Sequence, residues 1–84
     1  MTNKELLKKQ IIYRSTHRGT REMDLLLGNF VKRNINAFTD SELKDLERLM
    51  QIDDKILQKL YFEKSNTKSI PINKVSQMFK KFKL

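Results

Sequence analysis

Apolar side chains recur every three or four residues along most of the chain, and strict alternation over five residues is absent. That spacing is typical of amphipathic helices and predicts an all-α fold. The widest apolar stripe lies in residues 19–34 and consists of Met23, Leu26, Leu27, Phe30 and Val31. A stripe of this width faces the core of a small protein. We assign the adjacent Leu25 to the core as well.

Capping and helix-breaking residues predict where five helices begin and end. The first three predicted helices cover residues 2–16, residues 19–34 with Gly19 as N-cap, and a segment that starts at Thr39. Thr39 and Glu42 have the spacing of a capping box. A fourth helix is predicted for residues 53–62, a polar loop for 63–69, and a last helix with Pro71 in its first turn. Residues 1–84 therefore predict one compact five-helix bundle whose C-terminal helix and tail, from about residue 70, are basic.

The composition of the 84 residues argues against an enzyme. The chain has no Cys, one His and two Gly, which excludes thiolate chemistry, a His-based metal cluster and a glycine-rich phosphate loop. No apolar run approaches the 18 residues of a transmembrane helix. A chain of this length builds one small core, which leaves little room for an enclosed catalytic cavity. We expect a soluble, non-catalytic protein of a reducing compartment.

The net charge of +8 is concentrated at the two ends of the sequence. Residues 1–21 carry +5, residues 22–63 carry −3 and residues 64–84 carry +6. Lys outnumbers Arg, and an ammonium group lacks the planar fork with which guanidinium binds phosphates and bases. The charge therefore gives only weak support to nucleic-acid binding.

The sequence around Gly19 is a poor choice for stability alone. As an N-cap, Gly19 offers no side-chain acceptor to the first free amides of the helix. The helix dipole disfavours cations at this end by ~0.3–1 kcal/mol each, yet Arg14, Arg18 and Arg21 lie close by, with His17. This set suits a flat contact at which another backbone approaches Gly19 and charged hydrogen bonds fix the register. In the alternative, Gly19 ends the first helix in a left-handed conformation and the arginines are solvated.

Residues 18–22 fit an Arg-Gly-x-x-Glu motif. The wider stretch 13–27, the capping stretch 38–42 and the acidic pair Asp53 and Asp54 resemble the succinate dehydrogenase flavinylation factors, the SdhE family. The resemblance covers about residues 6–62. The chain departs from the family pattern at Lys55, where a Pro is common, and in having no Trp.

The resemblance implies an assembly factor, not an enzyme, that promotes covalent attachment of FAD to the flavoprotein subunit of succinate dehydrogenase. It leaves open whether fumarate reductase is a client as well. The FAD would be held by that subunit, with none bound stably by this chain. Gly19 would admit the partner's backbone, Arg18 and Arg21 would bind its carboxylates or carbonyls, and Glu22 would accept its hydrogen bonds. The partner-binding residues that the resemblance implies are Arg14, His17, Arg18, Gly19, Arg21, Glu22 and Asp24.

Two other functions stay open at this point. The basic ends fit a helical nucleic-acid-binding protein, and small helical proteins also act as toxin–antitoxin regulators. We expect a monomer that binds no membrane. The first residues lack a secretory signal and an arginine-rich leader, which favours the bacterial cytoplasm over the mitochondrial matrix.

Overall fold

Each helix begins at a polar residue whose side chain accepts a hydrogen bond from an amide of the first turn. These amides have no partner within a helix, so such a cap stabilises the helix start. The computed structural model describes residues 2–64, 68 and 70–83, where the helices are α1 (Asn3–Thr16), α2 (Arg21–Asn34), α3 (Asp40–Met50), α4 (Asp54–Phe62) and α5 (Lys74–Lys81). Their N-caps are Thr2, Thr20, Thr39, Asp53 and Asn73. The predicted all-α, five-helix fold is confirmed.

The capping box at the start of α3 is also confirmed. The Glu42 amide donates to Oγ1 of Thr39 at 3.2 Å, and the Thr39 amide donates to Oε1 of Glu42 at 2.9 Å. Glu42 pairs with Lys74 at 2.9 Å, which ties the start of α5 to α3. The Thr39 amide, followed by the Lys74 ammonium, lowers the pKa of Glu42 below its ordinary value.

The predicted start of α2 was one residue early. The N-cap is Thr20, whose hydroxyl accepts from the Met23 amide at 3.3 Å. Threonine supplies the side-chain acceptor that Gly19 lacks, and this difference decides the position of the cap. Gly19 is not a left-handed cap either, because neither glycine has a positive φ.

The predicted start of α5 was also early. Asn73 is the N-cap, and its side chain accepts from the Ser76 amide at 2.9 Å. Ser76 completes a capping box and donates its hydroxyl to the Pro71 carbonyl at 2.8 Å. Pro71 therefore precedes the helix. In the predicted loop, Glu63, Lys64 and Lys68 are exposed, while residues 65–67 and 69 lie outside the described residues.

The stripe predicted on α2 forms the centre of the core. All five of its side chains are buried, together with Ile11 of α1. Leu25 is 52% exposed, so its assignment to the core was wrong. It lies one position before the buried pair Leu26 and Leu27, and the helical period turns it away from the core. On α1, Ser15 is buried and Arg14 is exposed, so Ser15 shares the buried face of Ile11.

Aromatic side chains close the core at the C-terminal end of α2. The ring of Phe30 lies edge-on to Phe79 and Phe82, with centroids 5.4 and 5.3 Å apart. The Tyr61 hydroxyl donates to the Phe82 carbonyl at 2.6 Å, and the Arg33 guanidinium lies 5.2 Å from the Phe82 ring centroid. These contacts hold the end of α5 against α2 and α4.

The packing of α1 determines which turns lie beside the α1–α2 connection. Helix α1 packs on both α2 and α3. Lys4 pairs with Asp40 at 3.2 Å, so the starts of α1 and α3 lie together. The turn between α3 and α4 consequently lies at the other end of α1, beside residues 17–20. Within the described ranges, none of the helices combines the length and apolar character needed to span a bilayer.

Candidate functional site

The last turn of α1 presents a stacked pair of rings. His17 is the C-cap of α1, and its ring lies parallel to that of Tyr13, with centroids 3.9 Å apart and planes 15° apart. Nδ1 of His17 lies 2.8 Å from the Tyr13 carbonyl oxygen, which can only accept. Nδ1 is therefore the donor in this contact. Tyr13 is 62% exposed, so the stack forms part of the surface.

The side chain of Arg18 points into the molecule and is only 9% exposed. Its Nε donates to Oδ1 of Asp54 at 2.7 Å. Its Nη1 donates to the Met50 carbonyl at 2.5 Å and its Nη2 to the Ile52 carbonyl at 2.6 Å. The acceptors expected on a partner are thus found within the chain, at the end of α3 and the start of α4.

Two carboxylates fix the backbone of residues 18 and 19. Oδ1 of Asp24 accepts from the Arg18 amide at 2.5 Å. Oδ2 of Asp54 accepts from the Gly19 amide at 2.8 Å. A Cβ atom on Gly19 would lie 3.1 Å from Oδ2 of Asp54, a tight contact that the neighbouring carboxylate would have to relieve. Gly19 itself is exposed, so a fixed piece of backbone without a side chain faces outward.

The other predicted site residues surround this backbone on the surface. Arg14, His17, Arg21 and Glu22 are all exposed, and Asp24 is half-buried. Arg21 and Glu22 occupy the first two positions of α2. Among the described residues, Glu22 takes part in no hydrogen bond or ion pair. Both charged side chains are available to a partner.

Sequence reasoning missed three contributors to this surface. Asp54 was seen only as half of an acidic pair, because its partners lie 35 and 36 positions away. Tyr13 and Leu25 are exposed apolar side chains beside the charged positions, and Leu25 follows Arg21 by one helical turn. The exposure of Leu25 could have been found from the helical period of α2.

The chemistry of this surface is that of recognition. It combines a rigid backbone point at Gly19, two exposed cations, one exposed carboxylate and the apolar Tyr13 and Leu25. Across residues 2–64, 68 and 70–83, no three His, Asp or Glu side chains come together as a metal site would require. Charged hydrogen bonds around an apolar contact can orient another protein.

Several curated proteins are similar to this chain. The succinate dehydrogenase assembly factor 2 of Dictyostelium discoideum is 46% identical over 50 residues, which are 60% of this chain and 36% of that protein. The FAD assembly factor SdhE of Acetobacter pasteurianus is 38% identical over 47 residues, 56% of this chain and 43% of that protein. The matched segments thus span about two fifths of the length of these relatives.

A longer match joins this chain to the succinate dehydrogenase assembly factor 2 of Caenorhabditis elegans. The two are 33% identical over 79 residues, covering 89% of this chain and 66% of that protein. No solved structure matches the chain. The profile of the family described as "Flavinator of succinate dehydrogenase" matches residues 9–83, nearly the whole chain and all of the site around Gly19. The chain therefore belongs to the family of succinate dehydrogenase flavinators.

Proposed function

We propose that this chain binds the flavoprotein subunit of succinate dehydrogenase and promotes covalent attachment of FAD to it. The observation that carries the proposal is the exposed Gly19 backbone, fixed by Asp54, in a chain that matches the flavinator family over residues 9–83. The match favours this function over nucleic-acid binding or toxin–antitoxin regulation. The basic ends then need no nucleic-acid partner.

The partner contact is centred on Gly19. A partner backbone can approach a glycine closely because no side chain stands in its way. Arg21 and Glu22, one of each charge, would form hydrogen bonds at the edge of the contact and fix its register. Tyr13 and Leu25 would supply apolar area, since aromatic and aliphatic side chains fill the centre of protein interfaces.

The factor acts on FAD that the partner holds and does no redox chemistry of its own. Binding would hold a mobile region of the flavoprotein in the geometry that linkage requires. Correct orientation of two reacting groups lowers a barrier without any new catalytic group. Loss of this orientation would slow covalent linkage while FAD could still bind non-covalently.

We further propose that the chain works as a monomer in the bacterial cytoplasm. The relatives' names divide between mitochondrial factors and the Acetobacter protein. Fractionation of the source cells distinguishes the two compartments. Light scattering of the purified chain tests the monomer.

Co-expression with the flavoprotein subunit from the same organism tests the function. The measured quantity is the flavin fluorescence that stays with the subunit after denaturation. We expect strong fluorescence with this chain and little without it. Equal fluorescence in both cases would contradict the proposal.

Exchange of two charges at the site tests, in the same fluorescence assay, whether the surface around Gly19 binds the partner. The double variant Arg21→Glu, Glu22→Arg keeps the net charge and should lower the fluorescence. The matched control is Lys44→Asp, Asp45→Lys, which exchanges two charges on α3, where Lys44 lies beside the start of α1. We expect the control to behave as the unchanged protein.

A further inference from the structure

We propose that Asp54 is a positioning residue, which fixes the Gly19 backbone for partner binding. Arg18 supports Asp54 through hydrogen bonds within the chain, and its guanidinium does not pair with a charge on the partner. The inference rests on the proposed function, because it concerns the same surface. Asp54 lies at the start of α4, 35 positions after Gly19 in the sequence.

The carboxylate of Asp54 uses both oxygens to fix two consecutive residues. Oδ1 accepts from the Arg18 side chain at 2.7 Å, and Oδ2 accepts from the Gly19 backbone at 2.8 Å. One rigid, planar group therefore sets the position of Gly19 relative to α4. A protonated or amidated side chain could not do the same, since one of its two heteroatoms would be a donor.

The guanidinium of Arg18 extends this connection to α3. Met50 is the last residue of α3, and its carbonyl accepts from Nη1, while the Ile52 carbonyl accepts from Nη2. A cation suits the carbonyl end of a helix. Three N–H groups are directed inward from a side chain that is 9% exposed. These three N–H groups of the guanidinium are thus occupied by acceptors within the chain, and they cannot at the same time bind a partner carboxylate.

Stability alone would not require this arrangement. Desolvation of two charges offsets much of their attraction, and well-packed apolar side chains often stabilise a protein as well as a buried ion pair. What an apolar pair cannot do is accept a hydrogen bond from the Gly19 amide. The arrangement is therefore explained by the need to fix an exposed backbone point.

The first test compares two neighbouring carboxylates. In Asp54→Asn, the amide nitrogen must face either the Arg18 Nε–H or the Gly19 N–H, which places two donors together. Asp53→Asn is the matched control, because Asp53 caps α4 through the Lys55 amide and asparagine caps a helix equally well. We expect affinity for the purified flavoprotein subunit to fall about tenfold or more in Asp54→Asn, by the loss of a charged hydrogen bond. Asp53→Asn should stay within about twofold.

The second test separates charge from geometry at Arg18. Arg18→Lys keeps the positive charge but cannot reach three acceptors at once. We expect binding to weaken about as much as in Asp54→Asn. If Arg18→Lys binds the flavoprotein as the unchanged protein does, the charge of residue 18 matters and its fork does not, and the inference is overturned.

A third variant keeps the inference testable if Asp54→Asn unfolds. The double variant Arg18→Met, Asp54→Leu replaces the ion pair with apolar side chains, and we expect it to fold. Its affinity should still be reduced, because Gly19 has lost its acceptor. A folded double variant with unchanged affinity would overturn the inference.

A measurement on the free chain separates this inference from the proposed function. The amide signal of Gly19 in NMR spectra reports its hydrogen bond directly. It should shift, and its hydrogen should exchange faster, in the double variant Arg18→Met, Asp54→Leu, which offers Gly19 no acceptor, and not in Asp53→Asn. An unmoved Gly19 signal would contradict the positioning role whatever the partner. Absence of binding by the unchanged chain would instead contradict the proposed function.

Discussion

The two ends of α2 are held in different ways. At the N-terminal end, Arg18, Asp24 and Asp54 fix the preceding backbone through hydrogen bonds of 2.5–2.8 Å. At the C-terminal end, Phe30 lies among the rings of α5 and its C-cap. Hydrogen bonds depend on direction, whereas apolar burial depends mainly on area and fit. One end therefore fixes the position of a backbone point, and the other contributes stability.

Because the two ends of α2 are held differently, substitutions at one end should have different effects from substitutions at the other. A change at the aromatic end should lower the free energy of unfolding and leave the surface around Gly19 intact in the molecules that remain folded. A change at the polar end should alter that surface even where the fold survives.

The largest functional effect is expected for Gly19→Arg. Gly19 has no positive φ, so its backbone accepts an ordinary residue, and the new Cβ would make one tight contact, 3.1 Å from Oδ2 of Asp54. The partner's backbone cannot avoid a long side chain at this point, and covalent flavin in the co-expressed subunit should fall to the background level. Circular dichroism and thermal melting check that the variant folds.

Ser41→Arg is the control for Gly19→Arg. It adds the same side chain at an exposed position in the first turn of α3, at the other end of the bundle. It should leave flavinylation unchanged. Folded Gly19→Arg with full flavinylation would refute the assignment of this surface, and a variant that melts would show that Gly19 is needed for folding.

The largest effect on stability is expected for a core side chain of α2. Leu26→Ala should lower the free energy of unfolding by about 2–5 kcal/mol, because Leu26 is buried and a cavity would remain. Leu25→Ala is the matched control at an exposed position and should change it by less than about 0.5 kcal/mol. Urea unfolding measures both. Equal losses in the two variants would mean that the face of α2 is misassigned.

Glu22→Ala should weaken partner binding without affecting the fold. A hydrogen bond to a charged group contributes about 1.5–3 kcal/mol, which sets the expected loss of binding free energy. The described residues offer Glu22 no hydrogen bond or ion pair, so the melting temperature should hardly move. Calorimetric titration of the flavoprotein subunit with this variant gives the affinity. An unchanged affinity would remove Glu22 from the interface.

Deletion of the residues after Lys80 tests the opposite end of α2. It removes Phe82, which is half-buried against Phe30, and should lower the free energy of unfolding by roughly 1–2 kcal/mol. Binding to the flavoprotein should stay detectable. If flavoprotein binding is lost while the helical circular dichroism signal is preserved, the basic tail belongs to the binding site. The two ends of α2 would then not differ in function.

The smallest effect is a pH dependence at the start of α3. Folding lowers the pKa of Glu42, so its contribution to stability is present above its ordinary pKa and is lost as the pH falls through the lowered value. Glu42→Gln should therefore lower the melting temperature at pH 7, and the difference from the unchanged chain should shrink at acid pH. A difference that stays constant down to pH 2 would contradict this role of the carboxylate.

The buried face of α2 could be predicted from sequence, and most of the contacts at its polar end could not. The periodic spacing of Met23, Leu26 and Phe30 is a local signal, and so is the capping box of Thr39 with Glu42. The acceptors of Arg18 lie 32–36 positions away in sequence. The local spacing of residues does not show that the turn between α3 and α4 lies beside Arg18.

The two misplaced helix starts have a common cause. The predictions placed Gly19 at the N-cap and Pro71 in the first helical turn because glycine and proline are common at those positions. In the structure, a following residue whose side chain accepts a hydrogen bond is the N-cap instead. Thr20 and Asn73 are those residues. Caps are most predictable where, as at Thr39, the whole hydrogen-bonded pattern is visible in the sequence.

Hydrogen–deuterium exchange of this chain, free and bound to the flavoprotein subunit, tests most directly whether one end of α2 forms the partner surface. We expect binding to slow exchange at the amides of residues 17–25 and to leave residues 74–83 unchanged. Slower exchange in residues 74–83, with none around Gly19, would contradict the account.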